Sequence, residues 1–244
     1  MKVPVTILQQ TERTVAGATW RGNIADPNDP YEGFSVCHYT GDIPERYSAC
    51  RQQLGAMFGL PPVRVVVPRQ VHGTAVAVVT DSDFDRATVE DVDAVVTNVP
   101  ELIVGVCTAD CIPVILTSDS PAWVAAMHAG WRGAVAGIVE KTVKIMRGQG
   151  AATINAIVGV GIGCCCFEVG EEVAAEFPGE FVSRQAGEKP HVDLPAYVVS
   201  CLHRAGVDSV VSAGQCTRCA PERYFSARAH GVMSGRNYTF AMIK

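Results

Sequence analysis

Three short segments of this 244-residue chain carry side chains that could do chemistry. They are P-R-Q-V-H-G at 68–73, C-T-A-D-C-I-P-V at 107–114 and M-H-A-G-W-R-G at 127–133. Each puts a good metal ligand at the end of an apolar, strand-like run: His72, Cys111 and His128. Loops and strand ends are where a rigid scaffold presents functional groups. Two imidazoles and one thiolate suit zinc, and three protein ligands leave a fourth position open for water or substrate. Taken singly, each residue has a plainer reading, a solvated loop histidine or a core cysteine. The three together, with glycines after His72 and beside His128, point to a metal centre. Asp110, next to Cys111, could shuttle a proton or orient a ligand histidine, or simply cap a tight turn. Cys111 and His128 could also act as a thiol nucleophile and its base, as in cysteine hydrolases or deamidases.

These segments need elements to hold them. Runs rich in β-branched residues predict strands over 3–8, 63–67, 75–80, 94–97, 102–106, 112–117, 122–127, 154–160, 207–211 and 238–243. Four helices interrupt them. One follows Asp42, which with Glu45 makes a capping-box pattern, and stops at Gly59. The second spans about 134–147, with Val135, Ile138, Val139, Thr142 and Met146 on one stripe. A short third covers 171–177, and a fourth starts after Asp193 and stops at Gly206. Strands outnumber helices and do not alternate with them strictly, which predicts a mixed α+β layered fold in one domain, 1–244. No G-x-G-x-x-G or Walker pattern opens a helix, so dinucleotide and ATP readings lose ground.

A helix opening at Ala134 would attract an anion to A-G-W-R-G, with Arg132 adding a full charge. Arg69 and Arg228 are further phosphate candidates. Trp131, Tyr224 and Phe225 could stack on a flat base, although aromatics are usually core.

The composition limits the partners. Twenty basic against 25 acidic residues give a formal net charge of −5, with no basic patch, so nucleic acid is a poor partner. No apolar run approaches the roughly 20 residues that span a bilayer, and the N-terminus lacks a signal-peptide pattern. The expected location is the cytoplasm, with the ten cysteines reduced. Cys216 and Cys219 form C-T-R-C, a zinc-like or redox-like spacing. The only partner on offer is the run Cys164-Cys165-Cys166, so these thiols are expected to be buried or incidental. A multi-copper relay needs several paired histidines, whereas the six here, at 38, 72, 128, 191, 203 and 230, include no H-x-H.

The three segments resemble the signature of the YfiH family, also called the polyphenol oxidase or laccase-domain family. So do T-G-D at 40–42, G-V-G-I-G-C-C-C-F-E-V-G at 159–170 and E-R-Y-F-S-A-R-A-H-G at 222–231. The match runs in order over nearly the whole chain. Cys164 stands where the family usually has proline, and Ser35 near where it often has asparagine. The resemblance implies a four-layer α/β/β/α fold with mixed sheets, similar to the cytotoxic necrotizing factor catalytic domain. It also implies a zinc site made by His72, Cys111 and His128, at which Cu²⁺ could bind in place of zinc. The implied activity is purine nucleoside phosphorolysis of adenosine, inosine and guanosine, with an adenosine deaminase side activity. Its substrates would be a purine nucleoside and phosphate, and Arg69, Gln70, Arg132 and Arg228 are the candidate substrate and phosphate residues. A copper-dependent, laccase-like polyphenol oxidase is the alternative that the family's older name carries.

Overall fold

In a computed structural model of the chain, which describes residues 3–81 and 83–244, the first half lays down β1 (Val5–Gln10), β2 (Thr14–Thr19), α1 (Pro44–Met57), β3 (Val65–Val66), β4 (Val76–Val79) and β5 (Ala94–Thr97). The middle adds β6 (Ile103–Thr108), β7 (Ile112–Asp119), β8 (Ala122–Ala129), α2 (Trp131–Val135), α3 (Ile138–Gly148) and β9 (Asn155–Val158). The remainder is α4 (Glu171–Ala174), the small hairpin β10 (Val182–Ser183) and β11 (His191–Val192), α5 (Leu194–Arg204), β12 (Ser209–Ser212), α6 (Ala227–His230) and β13 (Asn237–Ile243).

Two mixed sheets form the body. One has the order β1-β2-β13-β6-β3, the other β12-β9-β7-β8-β5-β4. Their strands alternate faces with the period of two that a pleated strand requires. Val95, Ile115, Val124 and Ala126 of the second sheet meet Ala16, Val104, Val106 and Ala241 of the first in one apolar layer. The neighbouring residues Val96, Val114, Leu116, Ala125 and Met127 point the other way. They pack against Ile138, Val139, Val143 and Met146 of α3 and Leu194, Val198 and Leu202 of α5. The far face of the first sheet, with Ile103, Tyr238 and Phe240, covers Leu54 of α1. Each sheet is therefore buried on both sides, which explains why the central strands read as continuous apolar runs.

Three expectations change. The stretch 134–147 is two helices rather than one: Gly137 takes a left-handed φ of 86° between α2 and α3, and the first of them opens at Gly130, not Ala134. Asp42 and Glu45 form no capping box. The helix begins on Pro44, whose fixed φ suits the first turn, and Asp42 accepts the N–H of Ile43 at 2.8 Å instead. Strand β2, wholly buried, is an addition to the expected strands, because T-V-A-G-A-T lacks the bulky apolar residues of the other runs. Asp193 does cap α5, accepting the Ala196 N–H at 2.9 Å.

The first sheet depends on close approach at Gly105. A Cβ there would lie 2.4 Å from Cζ of buried Tyr238 and 2.7 Å from the Thr239 carbonyl. Tyr238 cannot yield, because its hydroxyl donates to the Val66 carbonyl at 2.5 Å. Gly105→Ala should lower the unfolding free energy by about 1–3 kcal/mol, the usual cost of overpacking. A lower denaturant midpoint at unchanged slope would register it; an unchanged midpoint would show that the sheet accommodates the methyl group.

Candidate metal centre and its cleft

The connectivity of the two sheets brings the three ligand segments together. His128 is the penultimate residue of β8 and pairs in register with Pro113 of β7. Cys111 immediately precedes β7, at the tight turn out of β6. His72 lies in the loop between β3 and β4. One ligand atom from each of His72, Cys111 and His128 lies within 4.8 Å of the other two. The two imidazoles meet edge to face with centroids 4.7 Å apart. His128 is buried, Cys111 half-buried and His72 exposed at the rim, so the cluster opens to solvent on one side. His72 and Asp110 both hold positive φ, 62° and 85°, which is costly for residues other than glycine and is kept where the surroundings enforce it.

At His72 that enforcement comes from Asp93, fully buried just before β5. Its Oδ1 accepts His128 Nδ1–H at 2.7 Å and the His72 N–H at 2.9 Å. Its Oδ2 accepts the N–H of Gly73 at 2.7 Å and of Val71 at 3.3 Å. One carboxylate thus turns Nε2 of His128 toward Cys111 and His72 while shaping the loop that carries His72. Burial alone would raise its pKa; the hydrogen bond and charge of His128 and the loop amides outweigh it and hold the carboxyl below its ordinary value. The same balance acts on the ligands. Burial opposes ionisation of Cys111, but the charge and hydrogen bond of His128, and then those of His72, bring the thiol down to about 6. His128, which burial would push down, is held at about 9 by Cys111 and Asp93. Asp93 was not among the residues singled out from sequence.

The donor set fits a metal. Two imidazoles and a readily ionised thiol, fixed by a carboxylate behind one of them, are ligands for zinc or copper. The cradle beside them is kept open by Gly130, where a Cβ would lie 3.1 Å from Cys111 Sγ and 3.2 Å from His72 Cδ2.

The three residues sit in a cleft of about 360 Å³, within the range of small-molecule sites. Tyr39, Gln70, Phe167, Arg228 and Arg236 contribute to its walls. Gln70 is committed to the scaffold: its amide donates to the Cys107 carbonyl and accepts the Cys107 N–H, both at 2.8 Å, and accepts from the Tyr39 hydroxyl at 3.0 Å. Asp110 is likewise engaged, accepting from the Thr217 hydroxyl and the Arg228 N–H, each at 2.7 Å.

Two of the phosphate candidates lie elsewhere. Arg69 pairs with Glu90 at 2.8 Å and with Asp91 on the exposed surface. Arg132 is exposed and stacks on the neighbouring Trp131 ring at 4.4 Å. Neither guanidinium lines the cleft, although the short helix α2 does open at Gly130, beside Cys111 and His72. Tyr224 and Phe225 are buried, and the aromatic walls are Tyr39 and Phe167 instead. Arg228 does reach the cleft, its guanidinium donating to the carbonyls of Cys166 at 3.4 Å and Glu168 at 2.9 Å. Arg236 joins it, held by the Ser234, Gly235 and Val232 carbonyls. No sequence signal separates Arg236 from any other loop arginine.

This architecture is that of a known class of two-sheet α/β proteins. It superposes on the YfiH protein of Bacillus licheniformis with a TM-score of 0.86 at 25% identity, over 95% of this chain and 93% of that one. YlmD of Geobacillus stearothermophilus gives 0.86 at 27% identity, over 97% and 98%. The chain belongs to the YfiH family: residues 15–244 match the family model described as multi-copper polyphenol oxidoreductase laccase. Among its relatives are an adenosine deaminase, RL5, from an unknown prokaryotic organism, 38% identical over 95% of this chain and 94% of the relative. A purine nucleoside phosphorylase of Mycobacterium tuberculosis is 36% identical over 86% of this chain and 84% of the relative. No helix among the described residues is long and apolar enough to cross a membrane.

Proposed function

We propose that this chain is a zinc-dependent purine nucleoside phosphorylase with a secondary adenosine deaminase activity. The observation that carries the reading is the open His72–Cys111–His128 centre at the base of a ligand-sized cleft walled by two arginines. The names of the relatives give the chemistry to test it against. Zinc held by the three ligands would supply a polarised water for deamination. The protein's own groups do the rest. Asp93 keeps His128 in the tautomer that presents Nε2, while Tyr39 and Phe167 offer flat faces to a purine. Arg228 and Arg236 make no ion pair with a carboxylate among the described residues, so their charge is left for an anion such as phosphate. Arg132, by contrast, is not needed.

Loss of a charge-assisted bond to phosphate costs about 1.5–3 kcal/mol, roughly ten- to 150-fold. Arg228→Ala should raise the phosphate concentration needed for half-maximal phosphorolysis by that factor and leave deamination of adenosine largely intact. Arg132→Ala should change neither. Equal loss of both activities in Arg228→Ala would assign the residue to the scaffold.

A second reading has one specific observation behind it. Cys111 at about 6, His128 at about 9 and the Asp93 orienter are the parts of a thiol nucleophile with its base. His72 favours the metal, because a nucleophilic thiol has no use for a second imidazole against its sulfur. Stoichiometric zinc that shields Cys111 from alkylation supports the first reading; a metal-free, stoichiometrically alkylated and thereby inactivated Cys111 supports the second. A conventional multi-copper relay, which the family model's description names, needs further histidines, and among the described residues none joins the triad.

A further inference from the structure

The second group of metal-type side chains lies outside the cleft, where sequence spacing predicted incidental thiols. Cys165, Cys166, Cys216 and Cys219 each offer a sulfur within 4.8 Å of all the others. Cys219 Sγ is 3.6 Å from Cys165 Sγ and 3.5 Å from Cys166 Sγ. A disulfide needs about 2.05 Å. Four thiolates bonded to one zinc at about 2.3 Å stand roughly 3.8 Å apart at the corners of a tetrahedron. All four cysteines are free, and the triple run contributes only Cys165 and Cys166; the Cys164 carbonyl accepts from His191.

Two turns build the cluster. The first folds back on Gly163, whose carbonyl accepts the N–H of Cys166 and of Phe167, both at 3.0 Å. The second follows β12 and is bonded to the first through the Thr217 N–H and the Gly161 carbonyl at 2.9 Å. Gly163 leaves room for the cluster: a Cβ there would sit 3.3 Å from Cys216 Cβ and 3.4 Å from Cys165 Sγ. Arg218 lines the surface pocket over the cluster, together with Glu168, and would offset part of the double negative charge of a zinc tetrathiolate.

We propose that Cys165, Cys166, Cys216 and Cys219 bind a structural zinc ion in a closed four-sulfur site, separate from the His72–Cys111–His128 centre. The four thiols release their protons to water as the ion binds. An all-sulfur tetrahedral set selects zinc or iron over hard cations, and a closed four-ligand site leaves no position for substrate. Its place in the fold gives it a purpose. Thr217, between two of the ligands, and Arg228, which grips the Cys166 carbonyl, both hold Asp110, the residue before Cys111. The ion therefore pins the two turns that position the cleft wall and the turn bearing Cys111.

The test is the metal content of the purified, reduced full chain by elemental analysis, with zinc supplied during expression. Wild type should carry two zinc ions per chain, His128→Ala one, and Cys216→Ser/Cys219→Ser one. Cobalt loaded into the His128→Ala chain should show the thiolate-to-cobalt charge transfer and strong visible bands of a tetrahedral tetrathiolate, which keeps the test open even if the serine variant fails to fold. No zinc and no such cobalt spectrum in His128→Ala would overturn the proposal. So would a mass two hydrogens low that identifies a disulfide among these four residues, or iron in place of zinc. Failure of the triad reading would look different: wild type and His128→Ala would then hold the same single ion.

Discussion

His128→Ala should leave the His72–Cys111 pair unable to retain a metal ion under dialysis and should abolish both phosphorolysis and deamination. The histidine is a ligand by position, and loss even of the groups behind a ligand costs about 10–100-fold in affinity or activity. Removing the ligand itself should exceed the upper end of that range. The substitution also costs stability, contrary to what a residue at a strand end leads one to expect. His128 is only 3% exposed and donates to a carboxylate that is 0% exposed. Truncation leaves Asp93 with three amide donors and one unmet lone pair, worth about 1–3 kcal/mol. Metal analysis, activity and a urea melt on one preparation separate the two effects. Metal retained at His72 and Cys111 would remove His128 from the site.

Asp93→Asn tests the carboxylate behind it. The substitution keeps the shape and replaces one acceptor oxygen by an NH₂ group, which cannot accept from Gly73, Val71 or His128. Whichever way the amide turns, some of the four donors lose their partner. Either His128 loses the acceptor that fixes its tautomer or the His72 loop loses its Gly73 and Val71 anchors, and the negative charge behind His128 is gone in both cases. Metal affinity and turnover should fall about 10–100-fold. The structural share of the loss appears separately as a lower unfolding free energy. A variant that loses stability but keeps wild-type metal affinity would make Asp93 a loop anchor alone.

Much of this molecule can be read before it is folded, and the reasons are local. Continuous apolar runs rich in β-branched residues mark the central strands, the Leu194–Tyr197–Val198–Cys201–Leu202 stripe marks α5, and Asp193 marks its start. His72, Cys111 and His128 stand out because each interrupts or ends an apolar run beside residues that suit a turn. What escapes depends on partners distant in sequence. In D-V-D-A-V-V-T, Asp93 looks like the polar start of a strand; only the pairing of β5 with β8 sets it against His128. Arg69 looks like an anion ligand until the fold brings Glu90 and Asp91 to it, and Arg236 looks like nothing until its loop closes on the cleft. Gly137 marks a helix break only because the chain there adopts a left-handed turn, which glycine permits but does not announce. The four-cysteine cluster joins turns more than fifty residues apart, so C-T-R-C alone could not reveal it.

The central claim is tested most directly by phosphate-dependent release of free base from inosine, measured on the purified chain before chelation, after chelation and after zinc is restored. The account predicts hypoxanthine and ribose 1-phosphate in equal amounts, no release without phosphate, loss on chelation and recovery with zinc. Base release that ignores phosphate, or phosphorolysis that persists with the His72–Cys111–His128 centre shown to be free of metal, would contradict it.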